Sequence, residues 1–307
     1  MTDRRTIHFH IGAHKTASSF LQANLRAGVE GLAGQGLGVI FRSQVVDTPF
    51  AAEVIEVAHG TRTPGDVTLR ARKSIRALLR KLPGDALVAN EDLLCRLNVQ
   101  DFYQNIGPAV RHIRAILPED DLRFILYVRN QPDYLESVYM QFVHLGRPLK
   151  FDRFMSRAEA VDFSWLRVVE DLAEAAGPQN ISVRPFETIR TGGADAFLRE
   201  FLKLSGVGDP EVFSVGPEAE HGRASNRSYS ELAMKIAQKA NPLLKDKKDR
   251  RMLRRFLQEN FSTSTHPRAR LLAPEARMEI AARYAPSNRA LFERFDLGAD
   301  GAALGYY

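Results

Sequence analysis

The fold is decided near the start of the chain by the stretch Thr6-Ile7-His8-Phe9-His10-Ile11-Gly12-Ala13-His14-Lys15-Thr16-Ala17-Ser18-Ser19. Apolar and polar residues alternate over residues 6–11, which is typical of a strand. Gly12 ends that strand, and residues 18–26 carry Leu21 and Leu25 at helical spacing. The stretch therefore predicts a strand that passes through a short polar loop directly into a helix.

The loop over residues 12–19 has the chemistry of an oxyanion site. A helix N-terminus offers unpaired backbone N–H groups and the positive end of the helix dipole. Lys15, Ser18 and Ser19 add a cation and hydroxyl groups that suit a phosphate-like group. A Walker loop would have its second glycine at Ala17 and its lysine at Ser18, so the spacing argues against ordinary ATP or GTP binding. The alternative is that Ser18 only caps the helix and that Lys15 is solvated.

Strand and helix patterns alternate from residue 6 to about residue 205. Further strands are predicted at residues 38–41, 87–89, 122–128 and 181–185, and further helices at residues 68–82, 102–117, 132–145, 163–176 and 194–205. This order predicts an α/β fold with a central parallel sheet and right-handed crossovers. The remaining chain is predicted to be helical, and a cap on the same sheet fits it as well as a separate domain does. We treat residues 1–307 as one domain, with a core over about residues 5–206 and a helical C-terminal portion over about residues 219–307.

Composition places the chain among ordinary globular proteins. Its 307 residues are 44% hydrophobic and 26% charged, which excludes a disordered chain and is enough for a sizeable core. No apolar run approaches the roughly 18 residues of a membrane-spanning helix, and the first residues do not have the pattern of a secretory signal. The single cysteine, Cys95, excludes an internal disulfide and a multi-cysteine metal site, and is consistent with a reducing cytoplasm. The net charge of +6 favours an anionic ligand without identifying it.

The loop sequence resembles that of a known family. The sulfotransferases that use 3′-phosphoadenosine 5′-phosphosulfate (PAPS) have a phosphosulfate loop similar to His10-Ile11-Gly12-Ala13-His14-Lys15-Thr16-Ala17-Ser18-Ser19-Phe20-Leu21-Gln22. The resemblance implies a P-loop-like three-layer α/β/α sandwich, and it implies donor contacts from Gly12, Ala13, His14, Lys15, Thr16, Ala17, Ser18 and Ser19. Ala17 replaces the usual glycine. Its methyl group is expected to be tolerated if the backbone there is right-handed, although it narrows the approach of the phosphate.

A second motif follows the predicted strand at residues 122–128. Arg129 comes directly after that strand and Ser137 eight residues later. In the resembling family an arginine and a serine at this spacing hold the 3′-phosphate of the donor. An arginine at the carboxyl end of a strand points into the crevice where open α/β sheets bind ligands, and a guanidinium offers a phosphate two aligned donors. The alternative is that Arg129 pairs with a nearby carboxylate such as Asp133.

Sulfuryl transfer needs a cation at the leaving oxygen and a base at the acceptor. The resemblance assigns the first role to Lys15. His14 beside it is a candidate helper, or else an exposed loop histidine. Glu91, just past the predicted strand at residues 87–89, is the candidate base, and the alternative is a carboxylate that the dipole favours at a helix start. His10 and His144 are weaker candidates for the base.

The resemblance implies a PAPS-dependent sulfotransferase that needs no metal and modifies a hydroxyl or amine. A carbohydrate or glycolipid acceptor is expected, ahead of a small-molecule alcohol. The alternatives are a nucleotide-dependent kinase on the same fold and a non-catalytic binder of anionic ligands. The basic run at residues 245–255 is interpreted as a solvated helix face or as an attraction for an anionic acceptor. No aromatic residues interleave with this run, so nucleic acid is not an expected partner.

Overall fold

Five parallel strands form the central sheet in the part of the chain that the computed structural model describes, residues 4–95, 97, 100–216 and 228–307. They are β1 (Thr6–His10), β2 (Leu37–Phe41), β3 (Asp85–Ala89), β4 (Asp121–Val128) and β5 (Ile181–Pro185). Their order across the sheet is β2-β3-β1-β4-β5. Ile7 of β1 lies opposite Ala86 of β3 and Leu122 of β4, both in parallel register. The parallel sheet predicted from the alternation of strands and helices is confirmed.

Helices connect the strands and form most of the chain after β5, up to Arg294. They are α1 (Ser18–Ala27), α2 (Val29–Gly34), α3 (Arg42–Val45), α4 (Pro49–Ala58), α5 (Leu69–Leu79), α6 (Ile106–Ile116), α7 (Gln131–His144), α8 (Phe151–Glu159), α9 (Trp165–Ala176), α10 (Thr188–Thr191), α11 (Gly193–Leu204), α12 (Glu231–Ala240), α13 (Lys247–Asn260) and α14 (Pro274–Arg294). The sequence pattern did not predict α2, α3, α4, α8 or α10. In α4 most residues are apolar on every side, so no contrast with a period of 3.6 residues marks the helix.

A helical layer covers each face of the sheet. Ile7 and Phe9 of β1 belong to a core shared with α4, α6 and α9. His10 points to the opposite face, where its ring packs on Phe201 of α11 with 5.0 Å between ring centroids. The second core on that face joins α1, α2 and α11 to the sheet. The expected three-layer α/β/α sandwich with a central parallel sheet is therefore confirmed.

The C-terminal portion is fastened to the first turns of α7. The carboxylate of Glu136, which is buried, accepts hydrogen bonds from the backbone N–H groups of Leu271 and Leu272 at 2.7 and 2.8 Å. Gln131 and Asn288 exchange two hydrogen bonds between their side-chain amides, at 3.0 and 2.9 Å. These buried polar contacts fix the position of α7, because breaking one leaves a buried group unpaired.

The C-terminal portion is mostly helical over its described residues, as the sequence predicts. Its expected first residues, 219–227, lie outside the described residues. The division of one domain into a core and a C-terminal portion stays a prediction. Among the helices of residues 4–216 and 228–307, none has both the length and the apolar content that crossing a bilayer requires.

Candidate active site

A cleft opens at the carboxyl ends of β1, β3 and β4. The helices that follow β1 and β4, which are α1 and α7, pack against opposite faces of the sheet. Open α/β sheets bind their ligands at such a point of divergence. The cleft has a volume of about 1240 Å³. It is lined by these residues predicted from the sequence: His14, Lys15, Ala17, Ser18, Ser19, Glu91, Arg129 and Ser137.

The other predicted loop residues, Gly12, Ala13 and Thr16, lie beneath the cleft. The N–H of Tyr127 on β4 donates to the Gly12 carbonyl at 2.7 Å, and the N–H of Ala13 donates to the Tyr127 carbonyl at 2.8 Å. The Thr16 hydroxyl donates to the Ala13 carbonyl, and Thr16 is fully buried. Gly12 has a φ of 105°, and a Cβ atom there would lie 3.0 Å from the Tyr103 hydroxyl. These residues shape the loop from below, and a donor contact through their backbone stays a prediction.

The loop backbone is left-handed at two residues that are not glycine, Lys15 with a φ of 66° and Ala17 with a φ of 65°. We expected the methyl group of Ala17 to be tolerated if the backbone there were right-handed, and it is not. The left-handed conformation costs an alanine about 1–2 kcal/mol. Ala17 is also the N-cap of α1, and its side chain has no acceptor for the N–H groups of the first turn. Ser18 is the first helical residue, so its interpretation as a mere cap is wrong. The start of α1 keeps N–H groups that suit an anion.

Lys15 reaches α7, where its Nζ donates to Oε1 of Gln141 at 3.1 Å. The pKa of Lys15 is lowered to about 8, chiefly by burial and to a smaller extent by repulsion from Arg129 and Arg254. Lys15 is half-buried and hydrogen-bonded to α7, so it is not the freely solvated lysine of the alternative. An anion bound beside Nζ would favour the protonated form and offset this repulsion.

Arg129 is only 4% exposed and faces the loop. One Nη donates to the Lys15 carbonyl at 2.7 Å, and the guanidinium lies over the Phe186 ring, 4.9 Å from its centroid. The Nε of Arg129 is buried and has no hydrogen-bond partner among the residues that the structure describes. Buried donors are almost always paired in proteins, so this one indicates a place for a ligand acceptor such as a phosphate oxygen.

Asp133 does not serve as the partner of Arg129 that the alternative interpretation requires. Its two carboxylate oxygens pair with Arg277 at 2.6 Å and with Arg190 at 3.4 Å. Burial by itself raises the pKa of Asp133, but the hydrogen bond from Arg277 and the positive charges of Arg129, Arg277 and Arg190 outweigh it and leave that pKa below its usual value. Arg129 therefore attracts Asp133 from a distance without forming an ion pair with it. The Arg129 guanidinium therefore contacts the loop through the Lys15 carbonyl and otherwise faces the cleft.

One face of α7 runs along the cleft. Ser137, Gln141 and His144 lie four and then three residues apart, which places them on the same side of the helix, and all three line the cleft. A rise of 1.5 Å per residue separates the first from the last by about 10 Å. The helix therefore carries a hydroxyl, an amide that holds Lys15, and an imidazole in a fixed order along the cleft.

Two neighbouring carboxylates after β3 have different partners. Oε2 of Glu91 accepts a hydrogen bond from Nε2 of Gln22 on α1 at 2.8 Å, and Oε1 has no partner within the described ranges. Asp92 pairs with Arg42 at 2.6 Å. Residues 91–94 form turns rather than a helix, so the alternative of a carboxylate at a helix start is wrong. Glu91 thus has one oriented oxygen and one available oxygen at the cleft.

The candidate histidines differ sharply in position. His10 is 1% exposed in the core, away from the cleft, and burial lowers its pKa to about 4. His14 is 7% exposed rather than an exposed loop residue, and its Nε2 lies 2.7 Å from the Cys95 carbonyl, to which it must donate. This bond ties the loop to the segment after β3, and a role of His14 as catalytic helper stays a prediction.

His144 also lines the cleft, and its Nε2 is buried and unpaired among the residues that the structure describes. Burial lowers its pKa to about 3, with added repulsion from Lys15 and Arg254. The ring is therefore neutral at physiological pH and retains a nitrogen lone pair.

Several lining residues escaped the sequence analysis. They are Gln22, Arg26, Arg42, Gln141, Phe186, Arg190 and Arg268, and Arg254 lines the cleft as well. Of the described residues that line the cleft, seven are lysine or arginine and two are carboxylates, which creates a site for a strongly anionic ligand. Arg254 belongs to the basic run seen in the sequence. The helical pattern places it beside Leu257 on the inner side of α13, but nothing in that pattern places it near Lys15.

Comparison with known proteins gives a structural relative. The chain is similar to the crystal structure of a sulfotransferase from Alicyclobacillus acidocaldarius, with a TM-score of 0.55, 15% sequence identity and coverage of 98% of each chain. No family model and no curated protein matches the sequence. At this identity the likeness concerns the fold, and the chain has a sulfotransferase-like α/β fold.

Proposed function

We propose that the chain is an enzyme that transfers a sulfuryl group from PAPS to a hydroxyl or amine of a carbohydrate or glycolipid. The observation that carries this proposal is the meeting of two distant motifs in one cleft. Lys15 follows β1 and Arg129 follows β4, and the Arg129 guanidinium donates to the Lys15 carbonyl at 2.7 Å. The sulfotransferase-like fold supports the same conclusion.

The cleft fits the two anionic ends of PAPS as a co-substrate. The start of α1 and Lys15 would hold the 5′-phosphosulfate, because both favour a negative charge. Arg129 would hold the 3′-phosphate through its unpaired Nε, and the hydroxyl of Ser137 would add one donor. The excess of cations around the cleft would offset the remaining charge of the nucleotide.

The proposed reaction forms a bond between the acceptor oxygen or nitrogen and sulfur. It breaks the bond between sulfur and the bridging phosphate oxygen. Lys15 stabilises the charge that develops on that oxygen. Oε1 of Glu91 takes the acceptor proton, while Gln22 holds the other oxygen at 2.8 Å. The products are the sulfated acceptor, adenosine 3′,5′-bisphosphate and a protonated Glu91, which then returns its proton to water.

Adenosine 3′,5′-bisphosphate is expected to raise the unfolding temperature clearly more than AMP at the same concentration. A ligand that binds the native state stabilises it by mass action, and only the bisphosphate reaches Arg129 and Ser137 with a 3′-phosphate. Thermal unfolding with each nucleotide measures this difference. Equal shifts would remove the 3′-phosphate site, and a larger shift with magnesium and ATP would favour the kinase alternative.

The transfer itself is tested by incubation with PAPS and a panel of carbohydrates and glycolipids. Mass spectrometry then detects acceptors that have gained a sulfuryl group. If the donor binds but no acceptor is modified, with simple alcohols included in the panel, the result would favour the alternative of a non-catalytic binder.

Arg129→Ala is expected to weaken the affinity for adenosine 3′,5′-bisphosphate by about 10- to 150-fold. This is the cost of about 1.5–3 kcal/mol for losing a hydrogen bond to a charged group. Calorimetric titration measures it, and Ser137→Ala should show a smaller loss. Arg42→Ala is the matched control, because Arg42 also lines the cleft but is engaged by Asp92. If Arg42→Ala weakened binding as much as Arg129→Ala, the effect would be one of net charge.

A further inference from the structure

Arg254 is a cation of the cleft that has no partner of its own. It lies on the inner side of α13, one turn before Gln258, and its side chain is half-buried. Among the residues that the structure describes, the Arg254 guanidinium has no hydrogen bond and no ion pair. A charge that is partly removed from water is unfavourable unless an opposite charge is near it, so this arginine indicates a place for an anion.

The carboxylates of α13 do not supply this anion. Asp249 and Glu259 each lie five residues from Arg254, so both project about 140° away from it around the helix. Glu259 is also paired with Arg255 at 2.7 Å. Asp246 precedes the helix and caps it by accepting a hydrogen bond from a backbone N–H of the first turn at 2.6 Å. Over residues 246–260, all of which are described, no carboxylate therefore lines the cleft.

The carboxylates that line the cleft are held by other residues. Asp92 pairs with Arg42 at 2.6 Å, and Oε2 of Glu91 accepts a hydrogen bond from Gln22 at 2.8 Å. Both carboxylates follow β3, and in the described structure neither forms an ion pair with Arg254. The anion that suits Arg254 therefore has to come from a ligand.

Arg254 lies at the end of the cleft beyond Lys15. The pKa of Lys15 is lowered to about 8 and that of His144 to about 3, chiefly by burial, and the charge of Arg254 adds to both shifts. The Arg254 guanidinium is therefore close to both side chains. Lys15 bonds to Gln141 of α7 at 3.1 Å, and His144 follows one turn later. Along α7, Lys15 thus comes first and Arg254 second.

Different cations lie at the other end of the cleft. Burial lowers the pKa of Arg129 to about 10, Asp133 and Glu187 oppose this shift, and the cations that add to it are Arg190 and Arg268. The proposed 3′-phosphate site therefore has positive charges of its own. Arg254 is separate from this group and lies past the proposed phosphosulfate.

The acceptor is the ligand that reaches this end of the cleft. In the proposed transfer the acceptor attacks sulfur from the side opposite to the leaving oxygen, as the in-line displacement of phosphoryl transfer does. Arg129 is assigned to the 3′-phosphate and Lys15 to the leaving oxygen. An acceptor in line with them enters from the end that Arg254 lines.

We propose that Arg254 binds a negatively charged group of the acceptor, and that the acceptor is an anionic saccharide. The charged group is the carboxylate of a uronic acid or a sulfate that the saccharide already carries, since a guanidinium gives either of them two aligned donors. Gln258, Thr263 and Ser264 line the same cleft, and their amide and hydroxyl groups suit the hydroxyl groups of a saccharide. This inference rests on the proposed function for the reaction, but the binding itself is measurable without any transfer.

Binding of matched saccharides tests the inference. Disaccharides and tetrasaccharides of glucose, galactose and mannose are compared in three forms, which are neutral, oxidised at C6 to a uronate, and sulfated at C6. Calorimetric titration is carried out on the free protein and on protein saturated with adenosine 3′,5′-bisphosphate, which fills the donor site and transfers nothing.

We expect at least one anionic form to bind at least about tenfold more tightly than its neutral counterpart, because a neutral saccharide leaves Arg254 unpaired. The uronate and sulfate forms show which of the two anions the site takes. Equal affinity for neutral and anionic forms throughout the panel, or no binding of any anionic form, would overturn the inference.

Variants of α13 assign this preference to one residue. Arg254→Gln should abolish the preference, whereas Arg254→Lys should keep part of it because the charge stays. Arg251→Gln is the matched control, since Arg251 is exposed on the same helix outside the cleft and its loss changes the net charge equally. A loss of preference in Arg251→Gln as large as in Arg254→Gln would reflect net charge and overturn the assignment.

Transfer kinetics separate this role of Arg254 from two others. Loss of acceptor binding in Arg254→Gln should lower kcat/KM for anionic acceptors and leave neutral acceptors unchanged. An arginine that held the sulfuryl group would instead lower the rate at saturating acceptor equally for both kinds of saccharide. An arginine of the donor site would weaken the affinity for adenosine 3′,5′-bisphosphate as strongly as Arg129→Ala does. Either of these two results would overturn the inference.

Failure of this inference and failure of the proposed function give different results. A protein that prefers anionic saccharides through Arg254, but responds equally to AMP and to adenosine 3′,5′-bisphosphate, would lose the proposed donor and keep the Arg254 site. A protein that binds the bisphosphate specifically and sulfates neutral and anionic saccharides alike would keep the proposed function and lose this inference.

Discussion

Glu91→Gln is expected to lower the single-turnover rate of sulfuryl transfer by about 10²–10⁴-fold, the usual effect of losing a general base. The amide is nearly isosteric with the carboxylate and can still bond to Gln22, so the fold should persist. In the proposed site Glu91 contacts the acceptor and not the nucleotide, so donor affinity should stay nearly unchanged. Rapid-quench measurement of transfer and calorimetric titration of adenosine 3′,5′-bisphosphate separate the two effects.

Asp92→Asn is the control for this experiment. Asp92 lines the same cleft, but its carboxylate is engaged by Arg42 at 2.6 Å, so its loss should cost far less turnover. An undiminished rate in Glu91→Gln would move the base to His144, whose Nε2 is unpaired in the described part of the chain. His14 and His10 would follow, since the first donates to a carbonyl and the second lies in the core. An unfolded Glu91→Gln variant would show a structural carboxylate instead.

Lys15→Ala is expected to lower the transfer rate by about 10²–10³-fold, as loss of one preorganised donor at a developing oxyanion does. It should also weaken donor affinity, because Lys15 is one of the cations that line the cleft. The measurement is again the single-turnover rate at saturating donor. A variant that lost affinity but kept its rate at saturation would show that Lys15 only binds the donor.

The pH dependence of donor affinity provides an independent check on Lys15. Burial lowers its pKa to about 8 in the free protein, and bound phosphosulfate would raise that pKa by favouring the ammonium form. Binding therefore takes up a proton above pH 8, and affinity should fall by up to about tenfold per pH unit there. In Lys15→Arg the cation stays protonated, so this fall should disappear. The same fall in Lys15→Arg would assign it to another group.

Local patterns were sufficient for the parts of the site that lie on the sheet. The continuous apolar run at residues 122–128 predicts a strand covered on both faces, and the alternation at residues 6–11 predicts its neighbour. Parallel strands bring their carboxyl ends to one edge. Lys15 and Arg129 could therefore be assigned to one crevice from the sequence and the family resemblance.

Contacts between distant segments decided what the sequence did not reveal. Arg254 reaches the cleft because α13 packs on α12, which in turn packs on α7, and no local pattern determines that packing. An isolated alanine prefers a right-handed backbone, whereas Ala17 is left-handed in a loop tied to β4 through Tyr127. The alternation in β1 does not reveal that Phe201 covers His10, because Phe201 comes from a helix far along the chain.

Helix α7 sets the distances between three side chains of the site. Ser137, Gln141 and His144 lie on one uninterrupted helix, and the start of this helix is anchored through Glu136. Inserting or deleting a single residue between Ser137 and Gln141 would rotate everything beyond it by about 100° and shift it by about 1.5 Å. Lys15 would lose its amide partner and the imidazole would leave the cleft in the same event. Evolution can therefore exchange side chains along this segment but cannot change its length. The spacing of the three side chains is inherited as one unit.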